Sequence, residues 1–185
     1  DVYKRQVVAP GANRQVLPGR VTIPEADAII CQLEVPTETI LYVARRCAGF
    51  LCVNLAPARH IDVAVLQRAD LVVVNETEAA WYGSALGACG GLVATTRGRG
   101  RATLERDGTL LAECRPPEVE AVDTTGAGDA FTAALTVALV EDLAPAEALQ
   151  FACAAGAATT TKMGAQPALP YREELPVPTP KQRST

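Results

Sequence analysis

The chain is poor in aromatic residues, which make up 4% of it, and it contains one histidine, His60, and one methionine, Met163. A core with so few rings must be assembled from Ala, Val and Leu. No apolar run approaches the roughly 20 residues that a membrane span requires, and no secretory signal pattern opens the chain. There is no long basic run and the net charge is −4, so neither a membrane nor a nucleic acid is expected as the main partner. The six cysteines (Cys31, Cys47, Cys52, Cys89, Cys114 and Cys153) form no C-x-x-C. With a single histidine beside them, a zinc site is not expected. They read as buried, reduced thiols of a cytoplasmic protein. The initiator methionine is also missing. The polar hexapeptide Asp1 to Gln6 abuts the apolar Val7-Val8, and reads as a non-native leader on a fragment lacking its N-terminal part; natural processing is the alternative.

What is present suits one soluble domain of 185 residues, with 49% hydrophobic and 21% charged residues. The most informative stretch is Asp123-Thr124-Thr125-Gly126-Ala127-Gly128-Asp129-Ala130-Phe131, between a short β-like run and a long apolar helix. Two glycines around one alanine leave the backbone uncovered, so Gly126, Ala127 and Gly128 can turn three successive N–H groups toward one point. A helix starts at that point, and its unpaired N–H groups and dipole favour an anion. Asp129, in the first turn, can hold a hydroxyl and accept its proton as that hydroxyl attacks phosphorus. The plain alternative is a glycine-rich helix start with an ordinary first-turn acid.

In chain order, strands are expected at 28–33, 51–53, 71–74 and 92–95, with a strand end at Val7 to Ala9. Helices are expected at 36–48, with Pro36 in the first turn, at 60–68 and at 75–82. This alternation implies right-handed crossovers and a parallel sheet covered on both faces, an α/β fold. Asp107-Gly108 between 102–104 and 110–113 signals a hairpin, which adds an antiparallel edge. Two Ala-rich helices follow, Gly126 to Val140 and Pro145 to Thr161. Gly156 in the second costs about 1 kcal/mol against Ala unless close packing needs it. The tail from Pro176 to Thr185 is expected to fray. In an open parallel sheet, ligands bind beyond the carboxyl ends of the strands. Glu34, Asn75 with Glu78, and Thr96 to Gly98 follow strand ends there, and with Asp129 they are expected to line one cleft. Asn75-Glu76-Thr77-Glu78 is also a capping box, worth about 1 kcal/mol.

The stretch from Asp123 to Phe131 closely resembles the signature of the ribokinase-like sugar kinases, the phosphofructokinase-B family. Asn75-Glu76-Thr77-Glu78, Gln32-Leu33-Glu34-Val35-Pro36, Pro10-Gly11-Ala12-Asn13, Asn54 to Ala58 and Gly164-Ala165-Gln166-Pro167-Ala168 resemble further family elements in consistent order. The resemblance runs from Val7 to about Glu174, and the Gln32 and Gly164 stretches favour the ribokinase branch. It implies a three-layer, Rossmann-like sandwich whose N-terminal strands and lid are missing here, with residues 7–175 as the C-terminal part of the kinase domain. It implies ATP-dependent phosphorylation of a sugar's primary hydroxyl, ribose first, with fructose, a nucleoside or a keto-sugar acid as alternatives. An inactive nucleotide-binding fragment is the remaining alternative.

By the same resemblance, Asp129 is the base and Gly126, Ala127 and Gly128 form the anion hole. Glu34 and Asp129 contact the sugar. ATP meets Asn75, the turn Thr96, Arg97, Gly98, Arg99, Gly100 and Arg101, then Gly128, Asp129 and Cys153. Within that turn Arg101 replaces the last glycine of the family's T-x-G-x-x-G. Glu78 holds Mg²⁺ through water, which suits a cation that keeps several waters. Asp123, Thr125, Thr159, Lys162, Gly164 and Ala168 surround K⁺, weakened because Ala168 lacks the serine hydroxyl of the family. The intact protein is expected to be a homodimer.

Overall fold

The computed structural model describes residues 11–176. The expected leader, the strand end at 7–9 and the tail over 177–185 lie outside the described residues. Six strands form one sheet in chain order: β1 (Ala28–Gln32), β2 (Phe50–Asn54), β3 (Leu71–Asn75), β4 (Leu92–Thr96), β5 (Ala102–Arg106) and β6 (Thr109–Cys114). β1 to β4 run parallel, and β5 and β6 are antiparallel additions. The hairpin turn has Asp107 at φ 50° and Gly108 at φ 73°. A two-residue turn that matches strand twist needs positive φ at both positions, and Asp-Gly supplies it.

Sequential strand order decides where the helices go. Each right-handed crossover in such a sheet steps the same way, so α1 (Thr37–Ala44), α2 (Val63–Arg68) and α3 (Glu76–Tyr82) fall on one face. Leu51, Val53, Val72 and Val74 pack there against Ile40, Val43, Val65 and Leu66. The alternate residues Cys52, Leu71, Val73 and Ala94 point to the other face. They meet α4 (Ala127–Val140) and α5 (Pro145–Thr159) through Phe131, Leu135, Leu149 and Ala152. Both faces of the central strands are covered, which is why they read as unbroken apolar runs. A one-turn helix, α6 (Ala165–Ala168), follows α5. Arg172 makes a two-pronged pair with Glu141 at 2.6 Å and fastens the segment after α6 to the C-cap of α4.

Several expected boundaries move. Pro36 is the N-cap of α1 rather than a first-turn residue, and α1 stops at Ala44, where the chain tightens into the Arg46 and Cys47 turns onto the Val43 carbonyl. α2 begins only at Val63, because the Asp62 side chain accepts the Ala64 N–H and caps it there. The α5 helix ends at Thr159, since the Thr160 and Thr161 hydroxyls turn back onto the Ala157 and Ala158 carbonyls. Gly156 has the packing reason its cost requires: a Cβ there would lie 3.2 Å from the Ala127 carbonyl oxygen and 3.5 Å from Phe131 Cβ. Without a side chain, α5 can close against the start of α4.

The α4 contact is the main seam of this face, and it gives a test. Leu135 is fully buried, whereas Val137 on the same helix is 43% exposed. Leu135→Ala is expected to cost about 2–5 kcal/mol in urea unfolding, and Val137→Ala to stay within about 0.5 kcal/mol. Equal losses from the two would mean that α4 does not pack through this face.

Candidate active site

The parallel register brings four strand ends to one rim, with Gln32 opposite Asn54 and Asn75 opposite Thr96. The chain returns to this rim after β6 and starts α4 there. The start is held by Asp123, which is buried. Its Oδ1 accepts the Thr125 N–H at 3.0 Å and the Thr125 hydroxyl at 2.7 Å, and its Oδ2 accepts the Gly164 N–H at 2.9 Å. The N–H groups of Val122 and Asp123 both donate to the Thr160 carbonyl, at 2.7 and 3.2 Å. The turn before α4 is thus tied to the end of α5 and to the Gly164 loop.

Those ties force Gly126 into the left-handed region at φ 82°, and a Cβ there would come within 3.4 Å of Ala165 Cα. A residue with a side chain is opposed there by backbone strain, while the Ala165 distance is an ordinary packing contact. The three expected N–H donors are not equivalent, because that of Ala127 closes onto the Thr124 carbonyl at 3.3 Å. Gly128 is different again: a Cβ on it would meet nothing within 4 Å, so it opens onto free space.

That space is a cavity of about 820 Å³. Thr96, Arg97, Gly98 and Arg99 form one wall, residues 115–121 another, and Thr124, Ala127, Gly128, Phe131, Cys153 and Gly156 the floor. Gly98, at φ 54°, lets the wall turn sharply, and the Gly100 N–H closes it onto the Arg97 carbonyl at 2.7 Å. A second hollow of about 390 Å³ lies at the end of β1, lined by Gln32, Glu34, Val35 and Thr39 with Asn13 and Val16. Asp129 lines neither, but it adjoins one residue of each. It follows Gly128 in the first turn of α4, and its Oδ1 accepts a hydrogen bond from Gln32 Nε2 at 2.6 Å.

The expectation of one cleft holding Glu34, Asn75, Thr96, Gly98 and Asp129 needs correction. Thr96 and Gly98 line the large cavity, as do Arg97, Arg99, Gly128 and Cys153, while Glu34 lines the smaller hollow. Asn75, Glu78, Gly100, Arg101 and Asp129 itself are not in either wall. Asn75 Oδ1 accepts the Glu78 N–H at 2.9 Å, and Glu78 Oε2 accepts the Asn75 N–H at 2.8 Å, so the capping box is fully formed and Glu78 is buried. Arg101 pairs with Glu113 across the hairpin, and its carbonyl accepts from Arg97. Of the residues grouped around Asp123, the contacts join Thr125 and Gly164 directly and Thr159 through its neighbour Thr160; Ala168 is buried on α6.

Two features escaped the sequence reading. Residues 115–121 carry no periodicity and no glycine motif, so nothing marked them as a cavity wall. Gln32 was in plain view beside Glu34, but its partner lies 97 positions away.

All six cysteines are free. Burial pushes the Cys52 thiol up to about 12 and Cys31 to about 11, and it also raises Cys153, with Cys114 beside it. Cys153 is therefore an inert, protonated part of the floor at neutral pH. Among the described residues no group of three or more His, Cys, Asp or Glu side chains is placed to hold a metal, and no helix is long and apolar enough to cross a membrane.

A mixed, mainly parallel sheet between two helical layers, with a large cleft at its carboxyl rim, makes this a three-layer α/β protein. Residues 28–172 match the model of the pfkB family carbohydrate kinases, and the chain belongs to that family. It is 31% identical over 190 residues to a ribokinase of Lactococcus lactis, covering 95% of this chain and 63% of that protein. Among solved structures, a Thermotoga maritima ribokinase superposes with TM-score 0.81 at 33% identity, covering 91% of this chain and 62% of the other. The Arabidopsis thaliana ribokinase, solved with ribose and ATP, gives TM-score 0.78 at 27% identity, covering 90% and 62%. The chain spans a little under two thirds of the length of these relatives.

The Asp123 clasp is testable through pH. Hydrogen bonds from the Thr125 N–H, the Thr125 hydroxyl and the Gly164 N–H hold its carboxyl below the usual carboxylate range. A carboxyl lowered by folding stabilises fully above its unfolded pKa of about 3.9, and that contribution is lost as pH falls through the lower folded value. Wild type should exceed Asp123→Asn in stability at neutral pH, and the gap should close as pH drops below about 3.9. Urea titrations at several pH values measure it, and a gap that does not change with pH would remove the carboxylate from this role.

Proposed function

We propose that the protein containing this chain transfers the γ-phosphoryl group of ATP to the primary hydroxyl of a sugar, with D-ribose giving ribose 5-phosphate. The observation that carries this reading is that Asp129 follows Gly128, which lines a cavity large enough for a nucleotide, and is hydrogen-bonded to Gln32, which lines a smaller hollow bearing Glu34. Membership of the pfkB family supports it, as do relatives that are ribokinases. Asp129 accepts the hydroxyl proton as the sugar oxygen attacks the γ-phosphorus and the bond to ADP breaks. The N–H groups at the start of α4 and its dipole stabilise the charge that develops. Thr96, Gly98, Arg97 and Arg99 hold the nucleotide along one wall, and Cys153 and Gly156 give the base a flat, small-residue floor. Asn75, Gly100 and Arg101 line neither hollow and act by shaping that wall. Glu34 takes sugar hydroxyls.

The donor sets of this chain fit the two expected cations unequally. Glu78 spends one lone pair on the Asn75 N–H and keeps acceptor capacity, which suits a water-mediated hold on Mg²⁺. When bound, Mg²⁺ neutralises phosphate charge. For K⁺, Asp123 Oδ1 already accepts two hydrogen bonds and Oδ2 one, leaving a single lone pair. The remaining donors are then the backbone carbonyls of Thr125, Thr159, Lys162 and Gly164, with none from the Ala168 side chain. That is a weak site.

In the full-length protein, Asp129→Asn should keep the fold and ATP binding while turnover falls by about two to four orders of magnitude. Gly128→Val should instead weaken nucleotide binding, because its side chain enters the cavity without meeting protein. Steady-state rates with ribose, fructose, a nucleoside and a keto-sugar acid, alongside ATP titrations, decide both points. Near-normal turnover by Asp129→Asn would return Asp129 to a helix-start acid.

A further inference from the structure

Gln32 is the last residue of β1, and its backbone is held in register opposite Asn54 of β2. Its side chain reaches across to the first turn of α4 and donates from Nε2 to Asp129 Oδ1 at 2.6 Å. A carboxylate only accepts hydrogen bonds, so the amide must present its NH₂ group here and its orientation is fixed. The separation is slightly shorter than the usual range for an N–H···O bond, as suits an ionised acceptor. Asp129 itself is exposed, and Gly126, the N-cap residue before it, offers no side-chain cap that would order the turn. An exposed Asp in a first turn can swing between rotamers. A donor anchored in the sheet removes that freedom.

We infer that Gln32 is a positioning residue for the phosphoryl transfer: it holds Asp129 by one oxygen and leaves the other to take the proton of the acceptor hydroxyl. The inference rests on the reading of Asp129 as the base. With Oδ1 occupied, Oδ2 is the oxygen available for the hydroxyl, and the geometry of attack is set before the sugar arrives. The bond also ties the base to β1, the strand whose end lines the Glu34 hollow. The two sides of the reaction are thereby spaced by the sheet and not by a loop.

The test is a double-mutant cycle in the full-length protein. Gln32→Met keeps nearly the length of the side chain without its amide, and Gln32→Ala removes it; either serves if the other folds poorly. Each should lower kcat about 10- to 100-fold, the loss expected for a hydrogen bond to a charged group. KM for ATP should stay within about twofold, and the melting temperature within about 2 °C, since the bond lies at an exposed rim. In the Asp129→Asn background the same Gln32 substitution should change kcat by less than about twofold, because its effect runs through the carboxylate. An equal loss of kcat in both backgrounds overturns the inference, and so does an unchanged kcat for Gln32→Met and Gln32→Ala where Asp129→Asn is strongly impaired. That second result leaves the function of Asp129 standing. Normal turnover by Asp129→Asn alone removes the base and Gln32's role with it.

Discussion

The carboxylate of Asp123 sets the geometry on which the site depends. Three hydrogen bonds to it join the turn at Thr125 to the loop at Gly164, and two backbone bonds to Thr160 fix the same turn to the end of α5. These contacts determine where α4 can begin. Gly126 is left-handed because the chain must leave that clasp and enter a helix within one residue. The open face of Gly128 and the place of Asp129 follow from it. A charge buried at this point is tolerable because every bond it makes is from a donor.

The scarcity of aromatic residues has a structural counterpart in the second helical layer. The buried cluster of α4 and α5 includes Ala134, Ala138, Ala148, Ala152 and Ala155, with Phe131, Leu135, Leu149 and Phe151 as its large side chains. Small side chains let helix backbones approach closely, and Gly156 takes this to its limit beneath the Ala127 carbonyl. The threonines buried in α4 do not disturb this layer. Thr132 and Thr136 return their hydroxyls to the Gly128 and Thr132 carbonyls, each at 2.8 Å. The floor of the large cavity is the end of this close-packed seam, so the same small residues that let the helices touch also leave room for a ligand.

Asn75 and Glu78 show how structural and chemical readings of one motif divide. Both capping-box bonds are made, and they stabilise the start of α3 at the rim. A carboxylate so held is also pre-oriented, which is what a water-mediated metal contact requires. Gln32 makes a parallel case from β1, an edge strand of the sheet. There the hydrogen bond joins two elements that sequence order keeps far apart.

The order of strands and helices was legible in the sequence because apolar runs bounded by turn residues report burial on both faces, and Asp107-Gly108 reports its own backbone conformation. Gly126, Gly128 and Asp129 were legible for the same local reason: a glycine-opened helix start is a property of neighbouring residues. Helix ends were less so, since single hydrogen bonds, one accepted by Asp62 and others donated by Thr160 and Thr161, moved them. The division of the rim into two hollows, the loop 115–121 as a wall, and the bond from Gln32 to Asp129 were decided by tertiary structure alone. Each depends on which strand ends lie side by side and how closely α4 settles on the sheet, and no periodicity within a segment encodes a distance between segments.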